Sequence, residues 1–217
     1  MQKLWATRCD WDEVLPDNMY KEWSIFYTQL SILKEISIPR WTGQGSDNIS
    51  AEILGFADAS TVGYGAVVYL KLIKVDGSVQ ITLLTAKSKV APLKPITIPR
   101  LELCATVLLA RLIVSIRAIL NDPAMRCHCW TDSTVALAWL KQPPSRWKIF
   151  IANRVHEVQT RVPDALWHHV TSQQNPADLV SRGVNPVVIK TNNLGGKGLI
   201  GSSCHRRNGR RRFTTYP

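Results

Sequence analysis

The order of hydrophobic patterns along the chain predicts an α/β domain: a mixed sheet with helices packed on its faces. Three strand-like segments come first, at about residues 52–85, and helical and strand-like segments alternate after them. Strands followed by alternating β and α segments are typical of a mixed sheet. Hydrophobic residues make up 45% of the 217 residues, which is enough for a buried core and excludes a wholly disordered chain.

Turn signals separate the first three strands. EILGFADAS begins at Glu52 and ends at the turn-like TVGYG, AVVYLKLI follows it, and the hairpin signal VDGS (75–78) leads into VQITLLT. Short turns of this kind join neighbouring antiparallel strands. We therefore expect three antiparallel strands within 52–85.

The second half alternates helices and strands. Pro99 precedes the run Leu101–Leu120, which is apolar on most sides and predicts a largely buried helix. The segments after it are predicted in this order: a strand RCHCWTD (126–132), a helix STVALAWL, a break PPSRW (143–147), a helix FIANRVHEVQTRV, a strand ALWHHV and a short helix opened by NPADLVS. The predicted order is β-β-β-α-β-α-α-β-α.

The segments that flank this region differ from it in composition. Residues 1–48 form a predicted leader, with an amphipathic helix over Asp17–Ile36 and a linker around TGQGSDN (42–48). The predicted domain covers residues 49–183. Residues 184–217 form a basic tail, rich in glycine and arginine, that we expect to be disordered.

The net charge indicates a polyanionic partner. Lys+Arg 27 against Asp+Glu 16 gives +11, and residues 183–217 contribute +7 of this with no acid. A basic balance of this kind favours nucleic acid as a partner, although a solvated basic end is the alternative for the tail alone.

The sequence contains no segment that indicates a membrane or secretion. Glu102, Arg111 and Arg117 interrupt the most apolar stretch, and charges occupy the N-terminal region where a signal peptide is hydrophobic. Five cysteines is an odd number without an even framework, which predicts reduced thiols. We expect an intracellular protein, cytoplasmic or nuclear, without a membrane partner.

Four carboxylates fall at comparable positions: Asp58 at a strand end, Glu102 in the first turn of the long helix, Asp132 at the next strand end, and Asp178 at the opening of the last helix. Strand ends and helix starts in an α/β sheet can converge on one edge. Clustered carboxylates repel one another, and Mg²⁺, which prefers oxygen ligands, relieves that repulsion. Two such ions can clamp the attacking water and the leaving oxygen of a phosphodiester.

Each of these acids also has a purely structural interpretation. Asp58 fits a turn, Glu102 and Asp178 fit the favourable dipole of a helix start, and Asp132 fits a helix N-cap. Composition and periodicity leave the choice open.

Cysteine, histidine and tryptophan residues supply further candidates. Cys127-His128-Cys129 has the elements of a zinc site, but strand alternation puts the cysteines on one face, which favours core packing. Trp147 follows a Pro-Pro break and lies between two cations, so it is a candidate for nucleic-acid contact, as is Arg182. The proposed nucleic-acid-binding residues are Arg146, Trp147, Lys148 and Arg182, whereas Trp130 and Trp139 fit the core better.

Four segments, GFADASTVGYGAVVYL, TIPRLELCATVLLARL, CWTDSTVALAWL and NPADLVSRG, together resemble the ribonuclease H-like domain of BEL/Pao retrotransposon polyproteins, also labelled the Pao retrotransposon peptidase family. The leader resembles the segment that joins reverse transcriptase to that domain. The resemblance covers about residues 4–183 and indicates a polyprotein fragment.

The resemblance implies an RNase H-like fold, with a five-stranded mixed sheet whose first three strands are antiparallel. It implies endonucleolytic hydrolysis of RNA in an RNA–DNA hybrid, with two Mg²⁺ ions (or Mn²⁺) on Asp58, Glu102, Asp132 and Asp178. Asp58 would bridge both ions, Glu102 and Asp132 would bind one, and Asp178 would bind the other. The partner in the intact polyprotein would be the parent reverse transcriptase.

The sequence departs from the family pattern in three ways. The tryptophan-rich continuation after SRG is missing, TSQQN (171–175) lacks the mobile histidine of many ribonucleases H, and no Asp-Thr/Ser-Gly triplet supports a peptidase. A non-catalytic nucleic-acid-binding remnant is therefore the alternative function.

Overall fold

Five strands form one mixed sheet in the order β3-β2-β1-β4-β5. A computed structural model describes residues 2–191 except positions 8, 11 and 39, so most of the basic tail lies outside the described residues. β1 pairs antiparallel with β2 and parallel with β4, β2 pairs antiparallel with β3, and β4 pairs parallel with β5. The strands are β1 (Asn48–Ala59), β2 (Gly63–Lys74), β3 (Val79–Val90), β4 (Arg126–Thr131) and β5 (Leu166–His169).

Within the described residues, the helices that accompany the sheet are α1 (Gln2–Thr7), α2 (Asp17–Gln29), α3 (Ile98–Ile119), α4 (Thr134–Leu140), α5 (Ile149–Arg161), α6 (Asp178–Arg182) and α7 (Pro186–Thr191). Short 3-10 helices cover Leu30–Glu35, Pro144–Arg146 and Ser172–Gln174. The element order predicted for residues 52–182 is confirmed. The leader contains α1, α2 and a 3-10 turn, and the helix predicted over Asp17–Ile36 changes to 3-10 geometry at Leu30.

The main core lies between one face of the sheet and the helices α3 and α5. α3 is the central element of this core: its buried side chains include Leu103, Leu109 and Ile113. Gly55 in β1 allows the close approach, because a Cβ atom there would lie 2.7 Å from Leu109 Cδ1. The long apolar helix is thus buried, as its sequence predicts.

The start of α3 corrects one prediction. The helix begins at Ile98, three residues before the predicted start, with Pro99 within its first two positions. Glu102 therefore lies just beyond the first turn, and the first turn contains no acid. This placement weakens the interpretation of Glu102 as a residue that only complements the helix dipole.

An aromatic cluster covers part of the opposite face of the sheet. Phe56 and Trp130 stack with their ring centroids 5.0 Å apart, and Tyr69 meets Phe56 edge-on at 6.0 Å. Ala177, the N-cap of α6, and Val180, within α6, belong to or pack against the same cluster. α6 is therefore held on this face of the sheet, near the end of β1 that carries Asp58.

Ion pairs join α3 to α5. Arg111 Nε and Nη2 donate to Glu157 Oε1 and Oε2 at 2.7 and 2.9 Å, and Arg161 Nε donates to Glu157 Oε1 at 2.8 Å. The Arg111 hydrogen bonds, supported by Arg161, lower the pKa of Glu157 to about 2. Because this carboxylate is ionised more readily in the folded state, its contribution to stability is present above its ordinary pKa and is lost as the pH falls towards 2.

A Glu157→Gln variant tests this pairing. We expect it to lower the free energy of unfolding by about 1 kcal/mol at pH 7, the magnitude for a partly exposed pair. The difference from wild type should shrink as the pH falls from about 4.5 towards 2, since the unfolded wild-type chain then takes up a proton. Urea unfolding at several pH values measures it, and a difference that does not change with pH would contradict the assignment.

Within the described part of the chain, no helix has the length and apolarity needed to cross a membrane. The four cysteines in that part, Cys9, Cys104, Cys127 and Cys129, are free thiols.

Candidate active site

Two aspartates lie together at the carboxyl ends of the parallel strands β1 and β4. Ala57 pairs with Thr131 in this register, so Asp58 and Asp132 are the next residues along neighbouring strands. Asp58 is the last residue but one of β1, Asp132 directly follows β4, and the preceding strand fixes the direction of the backbone at each. The sheet topology therefore brings together two carboxylates that are 74 residues apart in the sequence.

Asp58 is the most enclosed of the four predicted acids, with 3% of its surface exposed. Ser181 Oγ donates a hydrogen bond to Asp58 Oδ2, and Asn175 Nδ2 lies 3.5 Å from Asp58 Oδ1, at the outer limit of hydrogen bonding. Burial raises the pKa of Asp58 to about 7, and the charges of Asp132 and Asp178 add to the increase, whereas the Ser181 hydrogen bond opposes it. The negative charge on Asp58 is therefore costly in the protein alone.

Asp132, on the neighbouring strand, is near enough to Asp58 for its charge to raise the Asp58 pKa. Ser172 Oγ donates to Asp132 Oδ2, while Asp132 Oδ1 is buried without a hydrogen-bond partner among the described residues. The N-cap of α4 is Ser133, whose Oγ accepts from Ala136 N at 3.0 Å. The alternative interpretation of Asp132 as that N-cap is thus wrong, and its Oδ1 atom is available to another ligand.

Glu102 and Asp178 are linked to this pair through their charges. Burial raises the pKa of Glu102, a hydrogen bond with Ser133 opposes the increase, and the charge of Asp132 adds to it. Asp178, the first residue of α6, raises the pKa of Asp58 by repulsion. Arg182 Nε donates to Asp178 Oδ1 at 2.6 Å, so an arginine already neutralises this carboxylate.

The residues present fit a hard divalent cation in part. The donors are carboxylate oxygens, which Mg²⁺ prefers, and the unpartnered Asp132 Oδ1 is a buried acceptor that a cation would satisfy. Among the described residues, however, no group of three or more His, Cys, Asp or Glu is close enough to hold a metal ion. The structure thus brings Asp58 and Asp132 together, and the four-carboxylate site stays a prediction.

Three of the predicted nucleic-acid-binding residues, Arg146, Trp147 and Lys148, directly precede α5, whereas Arg182 is the last residue of α6. Trp147 packs against Trp139, with ring centroids 6.4 Å apart, and against the main core. Arg146 and Lys148 beside it are exposed, and Arg146 Nη1 donates to Gln142 Oε1 at 2.6 Å. Arg182 is exposed and paired with Asp178. Trp147 Nε1 is buried without a hydrogen-bond partner among the described residues, and contact of these residues with nucleic acid stays a prediction.

The cysteine and histidine motif follows strand alternation. Cys127 and Cys129 are both buried on the core face, with their Sγ atoms 3.5 Å apart. His128 lies on the other face, where its Nδ1 is 3.1 Å from Nε2 of His168. The motif is therefore divided between two faces, and core packing describes the cysteines. Trp130 and Trp167 also pack against the two hydrophobic clusters.

Sequence reasoning missed three polar residues that contact the aspartates: Ser172, Asn175 and Ser181. Asn175 and Ser181 lie within NPADLVSRG, beside the acid that was singled out. Ser181 follows Asp178 by three residues, a spacing that puts both on one side of a helix. That spacing was the available signal, while Ser172 begins a short 3-10 helix that no sequence pattern indicated.

An open groove of about 420 Å³ lies elsewhere, between α1 and the segment that joins β3 to α3. Lys3, Pro92 and Leu101 are among its lining residues, and none of the four acids is. This groove shows that α1 lies next to the sheet domain.

The strand order and directions define the class: this is an RNase H-like fold, antiparallel across β3-β2-β1 and parallel across β1-β4-β5. The family model described as "Pao retrotransposon-like RNaseH-like domain" matches residues 1–133. The chain belongs to this family. The match includes Asp58, Glu102 and Asp132 and ends before Asp178. No curated protein sequence matches the chain.

Solved structures similar to this chain include RNase H domains. The N-terminal RNase H domain of Rv2228c from Mycobacterium tuberculosis is 17% identical, with a TM-score of 0.44, over 65% of this chain and 99% of that one. LC11-RNase H1 in complex with an RNA/DNA hybrid is 16% identical, with a TM-score of 0.40, over 64% and 99%. The foamy viral protease-reverse transcriptase with an RNA/DNA hybrid is 12% identical, with a TM-score of 0.38, over 79% of this chain and 22% of that one.

Proposed function

We propose that this chain is an Mg²⁺-dependent endonuclease that hydrolyses the RNA strand of RNA–DNA hybrids. One observation carries the proposal: Asp58 and Asp132 meet at the ends of neighbouring parallel strands in an RNase H-like sheet, and Asp132 Oδ1 has no hydrogen-bond partner in the part of the chain that the structure describes. The family membership supports it. The proposed setting is intracellular, with the parent reverse transcriptase as the partner in an intact polyprotein.

Asp58 and Asp132 would hold the cations in this proposal, with Glu102 completing one site and Asp178 the other. Mg²⁺, or Mn²⁺ in its place, would activate the attacking water and offset the charge on the leaving oxygen. The chain's own contribution is to hold carboxylates that repel one another in a fixed arrangement. Arg182 must share or release Asp178 for that residue to take part, because it bonds to Asp178 Oδ1.

Arginine and lysine side chains that form no ion pair among the described residues lie near the start of α5. They offer a surface for the phosphate backbone of a nucleic acid. The guanidinium carbon of Arg154 lies 3.6 Å from the centroid of the Phe150 ring, and that of Arg100 lies 5.3 Å from it. Within the described residues, neither arginine forms an ion pair with an acid, and the same holds for Arg146 and Lys148. We propose that this basic patch, defined as Arg100, Arg146, Lys148 and Arg154, binds the hybrid.

An Arg100→Gln variant tests the basic patch. Arg100 is exposed, so the change should leave the fold intact while hybrid binding weakens and the slope of log affinity against log salt falls by about 1. A matched control is Arg126→Gln, on an exposed residue that already faces Glu52 at 3.8 Å. Fluorescence anisotropy at several salt concentrations measures both, and equal slopes for both variants would contradict the assignment.

The cleavage experiment compares the wild type with Asp132→Asn on a labelled hybrid in Mg²⁺. The variant keeps an oxygen that can accept from Ser172 but loses the charge, so cleavage should fall to the level seen with EDTA. Asp76→Asn is the control, since Asp76 lies in the β2–β3 turn at the other end of the sheet. Equal cleavage by the wild type and Asp132→Asn would reject the proposal.

A non-catalytic nucleic-acid-binding remnant is the second candidate. The observation that favours it is that the described residues contain no group of three or more potential metal ligands. Tight, salt-dependent binding of the hybrid by the wild type, without any metal-dependent cleavage, would establish this function in place of the first.

A further inference from the structure

Asp132 and Asp58 each accept a hydrogen bond from a serine hydroxyl, and both serines belong to one short segment, residues 172–181, that follows β5. Ser172 Oγ donates to Asp132 Oδ2, and Ser181 Oγ donates to Asp58 Oδ2. Asn175, between them, donates from Nδ2 to Ala57 O at 3.0 Å, which ties the segment to the end of β1. One segment therefore supports two carboxylates on two different strands.

Close packing fixes the position of Ser181. Ser60 Oγ donates to Ser181 O at 2.8 Å, so the β1–β2 turn holds the backbone of α6. Gly63 and Gly65 of β2 lie directly beneath: a Cβ at Gly63 would be 3.1 Å from Ser181 O, and one at Gly65 would be 2.7 Å from Val180 Cγ1. Ser181 is buried, with 2% of its surface exposed, and another acceptor within reach of its hydroxyl is Asp178 O in its own helix, at 3.0 Å.

The two hydroxyls make the oxygens of each carboxylate inequivalent. Oδ2 of each aspartate accepts a serine hydrogen bond. Oδ1 of Asp132 has no partner among the described residues, and Oδ1 of Asp58 has only the 3.5 Å contact with Asn175. The Oδ1 atoms are thus the pair that a cation can bind without displacing a strong hydrogen bond.

We propose that Ser172 and Ser181 are positioning residues that hold Oδ2 of Asp132 and Asp58, so that the two Oδ1 atoms are presented together to a divalent cation. This inference rests on the proposed function. The two serines that would hold the carboxylates in place both lie outside residues 1–133, the segment that the family model matches. Groups that orient metal ligands in this way typically change metal affinity by about 10- to 100-fold when removed.

The test is an NMR titration of the full chain with Mg²⁺, using wild type, Ser172→Ala and Ser181→Ala. We expect each alanine variant to weaken Mg²⁺ binding by roughly tenfold. Ser172 is exposed, so Ser172→Thr has room for its methyl group and should restore wild-type affinity. Ser115→Ala is the control, since this exposed serine donates only to Arg111 O in its own helix, about 20 Å along α3 from Glu102.

Thermal unfolding separates positioning from a general structural effect. Ser172→Ala should unfold at nearly the wild-type temperature while its Mg²⁺ affinity falls. If the wild type binds Mg²⁺ and both alanine variants bind it equally well, the positioning role is wrong and the proposed nuclease stands. If the wild type itself binds no Mg²⁺, the proposed function fails and this inference fails with it.

Discussion

An Asp58→Asn variant is expected to lose cleavage of the hybrid and to become more stable than the wild type in the absence of divalent cations. The substitution removes a carboxylate that the proposed cations require. Removal of a residue that only supports a metal ligand costs up to about a hundredfold, so we expect the rate of hybrid cleavage to fall by more than this. Loss of the charge also relieves the repulsion from Asp132 and Asp178 and the cost of burying a charge.

The gain in stability should depend on pH in a defined direction. The pKa of Asp58 is raised to about 7 in the folded protein, above its ordinary value of 3.8. Between these values the folded state holds the proton more tightly, so wild-type stability falls as the pH rises from about 4 to 7. Above pH 7 we expect Asp58→Asn to be more stable on the order of 2 kcal/mol, since the asparagine carries no charge to bury.

Urea unfolding at pH 5 and pH 8, with and without Mg²⁺, measures this effect. Mg²⁺ should stabilise the wild type at pH 8 and leave Asp58→Asn unchanged, because only the wild type retains both carboxylates. Asp76→Asn, in an exposed turn, is the matched control for the loss of one acid. A variant that is less stable than the wild type at pH 8 would contradict the account of the site.

A Gly65→Ala variant is expected to reduce cleavage by about a hundredfold while the domain stays folded. The added Cβ would lie 2.7 Å from Val180 Cγ1, 3.0 Å from Val180 Cβ and 3.2 Å from the Val180 carbonyl carbon, so α6 must move. Movement of α6 displaces Ser181 and Asp178 from Asp58. A misplacement of about 1 Å at a reacting centre can cost a factor of this size.

The double variant Gly65→Ala/Val180→Ala serves as the control. Removal of the Val180 methyl groups relieves the shortest contact, so part of the lost cleavage should return. The variants should show near-native circular dichroism, because Gly65 does not have a positive φ. Full activity in Gly65→Ala would show that the position of α6 does not matter for the site.

Most of the sheet domain could be predicted from the sequence because its elements have strong local signals. Alternation, the VDGS turn and the proline before α3 all act locally, and they predicted the element order correctly. The strand ends were less accurate: β3 continues to Val90, five residues past the predicted end. Its last part contains Lys87 and Lys89 on an exposed edge, where pairing with β2 rather than burial keeps the strand extended.

The site was predicted only in part, because its arrangement depends on contacts between distant segments. Asp58 and Asp132 were found as strand ends, and parallel pairing brings strand ends together. The serines that donate to these aspartates, Ser172 and Ser181, lie more than 35 residues further along the chain. No sequence pattern indicates which acceptor a serine hydroxyl will bind. Similarly, strand alternation correctly separated His128 from its neighbouring cysteines, but it could not show that His168 lies beside it.

The most direct test of the central claim is anomalous diffraction from crystals of the protein soaked in Mn²⁺. The account predicts an anomalous peak within coordination distance of Oδ1 of both Asp58 and Asp132, and no such peak in crystals of Asp132→Asn. Crystals of the wild type with these two carboxylates in contact, but without a metal peak beside them, would contradict it.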